Sequence, residues 1–246
     1  MDFLWLPEHA QDGPIATPAE TLEGSPLPGV WAVGGNLLGE EWGVPSVVPA
    51  GATVVAWSGT LGEGLWERHP LTWMPLGWSR LEAALRRVLP RLVERDQRLV
   101  LRTHAFHVLG DLHAARRCLE VVGTLGPGAG ERVGVVPDPA SLFTRGMLPR
   151  AREHAERMAE LLPGLVGRDG LVLGDLTLSE GPGDDDQPPQ RAAVGEGCLE
   201  VSAWVRALGA AGDKVYVVGD RRGAQSLHIE KSLDSTPTAA GGGSVG

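Results

Sequence analysis

The chain has few of the residues that mark disulfide-rich, thiolate-metal or nucleic-acid-binding proteins. Only two of its 246 residues are cysteine, and no CxxC spacing occurs, which argues against a disulfide framework or a thiolate metal site. Lysine is found only at Lys214 and Lys231, and 31 acidic residues outnumber 22 basic ones for a net charge of −9. Such an acidic chain has no electrostatic attraction to nucleic acid or to anionic lipid, so we predict neither as a partner.

Long apolar runs and targeting signals are also missing. No stretch reaches the roughly 18 consecutive apolar residues that a membrane helix needs. The first 13 residues carry Asp2 and no basic segment, which is not the pattern of a secretory signal. We therefore expect a cytoplasmic protein. Neither GxGxxG after the first strand nor GxxxxGK[ST] anywhere occurs, which counts against a nucleotide-binding sheet.

Short apolar runs alternate with clusters of glycine and proline, of which the chain has 35 and 19. Runs of four to six β-branched and aliphatic residues are typical of strands that are covered on both faces, as in parallel sheets. Seven such runs lie at 3–6, 29–34, 52–57, 98–102, 132–136, 170–173 and 214–218.

Helical patterns separate the later runs. A helix over 79–94 is predicted with Ser79 as its N-cap and with a kink or early end at Pro90. A second helix begins at the N-cap Asp111. The predicted helices cover 79–94, 111–122, 149–162 and 199–208.

Strands and helices alternate from residue 52 onward, which predicts an α/β protein with right-handed crossovers and a parallel sheet. Seven strands in 246 residues favour a (β/α) barrel of the TIM type with a shortened or irregular N-terminal part. An open doubly wound sheet is the alternative. We predict one barrel domain over 1–234, with an irregular Trp-rich portion at 1–51 and a disordered tail at 235–246.

The strand endings between residues 52 and 234 resemble the sugar phosphate isomerase/epimerase family, the xylose isomerase-like TIM barrels. In the family's order they read TVVAWSG, RLVLRTH, RVGVVPDPASL, GLVLGDLTL and AVGEGCLEVSAWVRAL before KVYVVGD. They are similar to the family's His-Pro-Gly loop, Glu-Asn-His strand, Asp-ending strand, Val-His-x-x-Asp strand and Gly-x-Gly segment. The resemblance implies a (β/α) barrel with its site at the C-terminal mouth.

The resemblance also implies a divalent metal held by Glu, Asp, His and Glu from four successive strands. Asp138 stands at the position of the family's Asp. Arg102 stands where the first Glu belongs, Val172 where the His belongs, and Gly219 near the last Glu, with Asp220 one residue further. One ligand in four is therefore matched.

A rebuilt metal site is one hypothesis for this mouth. His104 and His107 could join Asp138 and Asp220 as nitrogen and oxygen ligands. The opposing interpretation is that HxxH in a loop lacks the helical spacing of a zinc-binding motif and that the polar residues after it cap a helix. The predicted cofactor is therefore a divalent metal (Mn, Zn, Co or Mg), or none.

Two functional hypotheses, an enzyme and a non-catalytic protein, remain open. The first is an isomerase or epimerase acting on a small polyhydroxylated, carbohydrate-like substrate. The alternative is a non-catalytic barrel that lost the metal site and serves as a binding or scaffold protein. In the first, the catalytic residues are His104, Asp138 and Asp220, the substrate-binding residues are Arg102, Arg145 and Trp57, and the metal ligands are Asp138, His104 and His107.

Two geometric predictions follow from barrel topology. His104, Asp138, Asp175 and Asp220 each lie just past a strand, so we expect them to converge at one end of the barrel. Arg102 should pair with Asp138 and lower the pKa of its carboxyl, because an unpaired guanidinium at a partly buried mouth is costly. We then expect weak binding of divalent metal by the wild-type protein and tighter binding by Arg102→Glu.

Overall fold

The computed structural model describes residues 2–5, 16–21, 26–167, 169–178, 188–199, 201–208 and 214–217. Asp220 and the predicted tail at 235–246 lie outside these residues.

All seven predicted strands are present. The strands within the described residues are β1 Asp2–Trp5, β2 Ala16–Thr21, β3 Pro26–Val33, β4 Thr53–Trp57, β5 Arg98–Arg102, β6 Val133–Val136, β7 Leu171–Leu173, β8 Asp175–Leu176, β9 Arg191–Ala192 and β10 Lys214–Val217. The α-helices are α1 Pro75–Glu94, α2 Leu112–Thr124, α3 Ala129–Arg132, α4 Ala151–Leu161 and α5 Val201–Leu208, and 3₁₀ helices lie at Pro70–Trp73, Pro139–Leu142, Arg145–Arg150 and Leu162–Gly164.

Eight strands form one sheet in the order β6-β5-β4-β3-β2-β1-β10-β7. The neighbours from β3 to β6 are parallel, as are β1 with β10 and β10 with β7, which confirms the predicted parallel arrangement of β5, β6, β7 and β10. Strand β2, which the sequence did not predict, runs antiparallel to both β1 and β3. It forms the irregular N-terminal part that was expected. A separate antiparallel pair joins β8 to β9.

The sheet curls so that its two end strands, β6 and β7, meet. The backbone N–H of Val172 in β7 donates a 2.8 Å hydrogen bond to the carbonyl of Pro137, one residue past β6. Inside the curl lies a small apolar cluster with members from seven strands, β6 and β7 included. One cluster can contact both ends of a sheet only if the sheet wraps around it, and the predicted barrel is confirmed. Its members are Ala19, Val30, Ala32, Val55, Val100, Val136, Val172 and Tyr216.

Helix α1 begins earlier than predicted and does not end early at its internal proline. Its N-cap residue is Met74, and its first residue is Pro75. Proline is well tolerated at the first position of a helix. Ser79 is therefore inside the helix, and its hydroxyl donates to the carbonyl of Pro75 at 2.9 Å. Pro90 does not end the helix, which continues to Glu94. Pro90 is exposed, so the carbonyl that loses its N–H partner can bind water, while the opposite face stays packed in the core.

Helix α2 follows its prediction. The Asp111 carboxylate accepts a 2.6 Å hydrogen bond from the N–H of Ala114 and caps the helix, as expected of an N-cap aspartate. Helix α4 begins two residues later than predicted, because the segment before it winds as a 3₁₀ helix. Among the described helices, none is both long and apolar enough to cross a membrane.

Candidate functional site

A cavity of about 140 Å³ lies at the C-terminal ends of the barrel strands. Trp57 ends β4, and the remaining wall residues come from the segments after β4, β5, β6 and β7. The cavity is lined by Trp57, Trp66, His104, Ala140, Ser141, Phe143, Leu176, Pro188, Pro189 and Arg191.

Beside the cavity, Arg102 forms a buried ion pair with Asp138. The Arg102 Nη2 atom lies 2.6 Å and Nε 2.7 Å from Oδ2 of Asp138, and the two side chains are 5% and 0% exposed. The other side of the guanidinium covers Trp57, with Cζ 3.9 Å from the ring centroid, a cation–π contact. The predicted pairing of Arg102 with Asp138 is confirmed.

A second arginine and a serine complete the contacts of the Asp138 carboxylate. Arg191 of β9 donates to Oδ2 at 3.0 Å, and Oγ of Ser141 donates to the same oxygen at 2.5 Å. The backbone N–H of Ser141 donates to Oδ1 at 3.1 Å, and Arg191 also donates to Oγ of Ser141. Both carboxylate oxygens of Asp138 are thus engaged by protein donors.

These neighbours decide the charge of Asp138. Burial alone would raise the pKa of this carboxyl, but the opposing charges of Arg102 and Arg191 and the hydrogen bond from Ser141 outweigh burial and lower the pKa below its ordinary value. The direction is the one predicted for a carboxyl paired with a guanidinium. Asp138 is therefore a carboxylate at neutral pH.

The two histidines of the loop after β5 are buried next to each other, with ring centroids 4.7 Å apart. The backbone N–H of Phe106 donates to Nδ1 of His104 at 3.1 Å, so in the neutral ring Nε2 carries the proton. His107 has its Nε2 atom 2.8 Å from the carbonyl of Leu65. Since a carbonyl only accepts, the proton of His107 is on that nitrogen.

Both rings are neutral at pH 7. Burial is the main reason that the pKa of His104 lies well below 6.5, and His107, Arg191 and Arg102 lower it further. Burial also lowers the pKa of His107 to about 4, although the hydrogen bond to Leu65 opposes this shift.

The structure brings some of the predicted site residues together and leaves others apart. His104 and Trp57 line the cavity, and Arg102 and Asp138 lie directly behind it. Arg145 is not among the described lining residues. Asp175, two residues past β7, lies at the same end of the barrel as His104 and Asp138, as predicted, and its carboxylate binds backbone groups. It accepts hydrogen bonds from the N–H groups of Gly195, Gly197 and Leu199 and so orders the loop before α5.

The residues present do not fit a divalent cation. Three side chains already donate to Oδ2 of Asp138, and the two that are arginines would repel a metal ion at that oxygen. His104 accepts from the backbone at Nδ1, so its other nitrogen, Nε2, carries a proton and has no lone pair for a metal. His107 donates from Nε2 to the backbone, and its Nδ1 would be the one nitrogen of the two rings with a lone pair to offer. Within the described part of the chain, no group of three or more His, Cys, Asp or Glu residues has an arrangement that could hold a metal.

Sequence reasoning missed Arg191, Ser141 and Trp66. Arg191 meets Asp138 from 53 positions away, and no local pattern signals such a contact. Ser141 does have a signal, because it stands three residues after Asp138, and this is the spacing at which an aspartate caps a backbone N–H. Trp66 packs edge-on against Trp57 with centroids 5.0 Å apart, and it was one of several loop tryptophans with no feature to single it out.

Comparisons with known proteins give structural likenesses only. No protein-family model and no curated protein matches the chain. Similar solved structures include the xylose isomerase domain protein from Planctomyces limnophilus, with 16% identity, a TM-score of 0.48, and coverage of 74% of this chain and 57% of that one. A D-tagatose 3-epimerase-like protein has 14% identity and a TM-score of 0.45, covering 74% and 61%.

A xylose isomerase-like TIM barrel protein from Mycobacterium smegmatis, determined in complex with magnesium, has 12% identity and a TM-score of 0.46, covering 75% of this chain and 61% of that one. This chain spans about three fifths of their length. At such identities the likeness concerns the fold alone.

Proposed function

We propose that this barrel binds a small, carbohydrate-like ligand carrying an acidic group, and that it does so without a divalent metal. The observation that carries the proposal is the state of Asp138. Its two carboxylate oxygens accept from Arg102, Arg191 and Ser141, so it is available neither as a metal ligand nor as a proton acceptor. Of the two functions open from the sequence, this favours the non-catalytic binding barrel.

The polar groups at the cavity wall are donors. His104 lines the cavity and, with Nδ1 accepting from Phe106, its neutral ring has an N–H at Nε2. Arg191 adds a guanidinium to the same wall, and a guanidinium only donates. A ligand that presents acceptors, above all a carboxylate, complements such a wall.

The rest of the wall is apolar and sized for one ring. Trp57 and Trp66 stand nearly perpendicular, at 83°, and the two aromatic faces suit the C–H face of a sugar ring. A dry cavity of about 150 Å³ admits a molecule of the size of benzene, and the cavity here is about 140 Å³. One six-membered ring is therefore the expected size.

The same geometry disfavours proton transfer as the main activity. An epimerase that moves a proton at carbon needs a base facing the substrate. The His104 nitrogen that could accept a proton is occupied by the N–H of Phe106, and Asp138 is held by two arginines. We therefore infer binding rather than isomerisation.

Calorimetric titration with glucuronate, in EDTA and again with Mn(II), tests this proposal. We expect saturable binding of one glucuronate per chain, equal in both buffers, and weaker binding of neutral glucose. Arg191→Gln should weaken glucuronate binding by about tenfold, because a charge-assisted hydrogen bond is lost. Arg152→Gln is the matched control, since Arg152 lies on the exposed surface of α4 next to Glu156.

Three results would contradict the proposal. The first is glucuronate binding that appears only with Mn(II). The second is equal affinity for glucose and glucuronate. The third is exchange of a carbon-bound hydrogen of the bound sugar with D₂O, followed by proton NMR, which would restore the isomerase or epimerase hypothesis.

A further inference from the structure

We propose a second ligand site, for a small organic anion with a planar ring, in a groove between α1, α2 and the loop after β5. The groove has a volume of about 550 Å³ and shares no described lining residue with the first cavity. Ligand pockets generally measure roughly 300–1,000 Å³. The second site is therefore large enough for a ligand of two fused or linked rings, whereas the first cavity fits one.

The walls of the groove combine indole rings with guanidinium groups. Trp78 of α1 and Trp73 of the preceding 3₁₀ helix both line it. The Cζ atom of Arg117 in α2 lies 4.2 Å from the ring centroid of Trp78, and that of Arg68 lies 5.6 Å from the ring centroid of Trp73. Each arginine is thus held over an aromatic face.

Arg117 is the group that points to an anion. It is exposed, and within the described residues no hydrogen bond or ion pair to its guanidinium is found. Its stacking on Trp78 fixes the plane of the guanidinium while its donors remain open for a carboxylate, sulfonate or phosphate. Among the described residues that line the groove, the one acidic residue is Asp111, and its carboxylate accepts a hydrogen bond from the N–H of Ala114.

Asp111 does not contribute to anion binding. It is the N-cap residue of α2, a helix of 13 residues, and its carboxylate accepts from the N–H of Ala114, so it offsets the partial positive charge of the first turn. The choice of an anion therefore rests on the stacked Arg117.

The floor of the groove packs closely against the indole ring of Trp73. A Cβ atom placed on Gly110 would come within 2.7 Å of Nε1 of Trp73, so glycine is required for Trp73 to lie against the loop. The apolar wall is completed by Phe106, Val108, Leu142 and Met147. A ring inserted between the two indoles would thus meet aromatic and aliphatic surface, with its acidic group at Arg117.

A fluorescence titration with 8-anilinonaphthalene-1-sulfonate, a two-ring organic anion, tests the site on the full chain. We expect saturable binding of one dye per chain and weaker binding of N-phenyl-1-naphthylamine, which has the same rings without the sulfonate. Arg117→Gln should weaken binding of the sulfonate dye by about tenfold, as one charge-assisted hydrogen bond is lost. Arg116→Gln is the matched control, because Arg116 is also exposed on α2 but lies beside Gly164.

The outcomes separate this site from the first cavity and from nonspecific dye binding. Loss of affinity in Arg117→Gln but not in Arg116→Gln, with no displacement by saturating glucuronate, supports the second site. Equal affinity of the two arginine variants overturns it. So does displacement of the dye by glucuronate, which would assign the dye to the first cavity, or equal binding of the neutral dye, which would leave no role for the charge.

Discussion

The barrel carries an arginine–aspartate pair near each end of β5, one partly buried and one fully buried, and the two pairs differ in how open they are to other partners. At the start of the strand, Arg98 binds Asp169 through two parallel bonds, Nε to Oδ1 at 2.7 Å and Nη2 to Oδ2 at 2.6 Å. Its remaining nitrogen, Nη1, donates to the carbonyls of Gly130 and Glu131. This pair is complete within itself and with the backbone.

At the other end of β5, the Asp138 carboxylate is shared by Arg102, Arg191 and Ser141 next to a cavity. Both networks connect strands on the two sides of the β6–β7 seam and therefore help to close the barrel. The network at Asp138 lies beside two indole rings and a neutral histidine that line the cavity. We infer that the Arg98–Asp169 pair stabilises the fold, whereas the network at Asp138 also shapes the wall of the cavity.

Removing the charge of each aspartate should give the largest difference in stability loss between the two ends of β5. In Asp138→Asn, two guanidinium groups lose their buried counter-charge, and we expect the free energy of unfolding to fall by about 3–5 kcal/mol. In Asp169→Asn the loss should be smaller, about 2 kcal/mol, because the side chains of Arg98 and Asp169 are 13% and 11% exposed and water can solvate Arg98. Urea denaturation measures both, and a larger loss in Asp169→Asn would invert the comparison.

Acid sensitivity is expected at the cavity end. The pKa of His107 is about 4 in the folded protein against 6.5 for an ordinary histidine, so the unfolded chain binds more protons between these values. Stability therefore falls as the pH drops from about 6.5 toward 4, by about 2 kcal/mol at pH 5 for His107.

Urea denaturation at pH 8 and pH 5 measures this loss. His107→Gln should reduce the difference between the two pH values by that amount, since glutamine does not titrate. His113→Gln, which alters an exposed histidine of α2, should leave the difference unchanged. If His107→Gln and the wild-type protein lost the same stability between pH 8 and pH 5, His107 could not be the source of the acid sensitivity.

A glycine lies against each network, and replacing it should have a smaller effect than removing the charge of Asp138. A Cβ on Gly134 of β6 would overlap both Asp169 and Arg98, and a Cβ on Gly174 would overlap the guanidinium of Arg191. We expect Gly134→Ala to cost about 1–3 kcal/mol of unfolding free energy, as overpacking does. Gly174→Ala should cost less, because Arg191 can swing away, but should weaken glucuronate binding. Glucuronate binding unaffected by Gly174→Ala would argue against a role for Arg191 in the wall.

Much of the fold could be predicted because its signals are local. The seven apolar runs and the Asp111 cap depend on neighbouring residues, and all are present. Strand β2 was missed because ATPAET contains a proline and no apolar run, and its pairing comes from β1 and β3. The predicted start of α1 was too late because Ser79 has the chemistry of an N-cap. Tertiary packing extends the helix N-terminal to Ser79 and also holds it together beyond Pro90.

The site could be predicted only in part. The Arg102–Asp138 pair followed from two neighbouring strand ends and from the cost of an unpaired guanidinium. Arg191 could not be predicted, because it reaches Asp138 from a short strand far along the chain. Asp175 lies at the mouth end, as its place after β7 predicted. Its role could not be predicted, because the backbone N–H groups that bind its carboxylate lie 20 to 24 residues further along the chain.

Calorimetric titration of Mn(II) into chelator-treated wild-type protein tests most directly whether the arginine network excludes a metal. We predict no stoichiometric binding by the wild-type protein, and tighter binding by Arg102→Glu, in which a carboxylate replaces the guanidinium beside Asp138. Binding of one Mn(II) per wild-type chain that Arg102→Glu leaves unchanged would contradict the account, because Asp138 could not then be held by its two arginines as described.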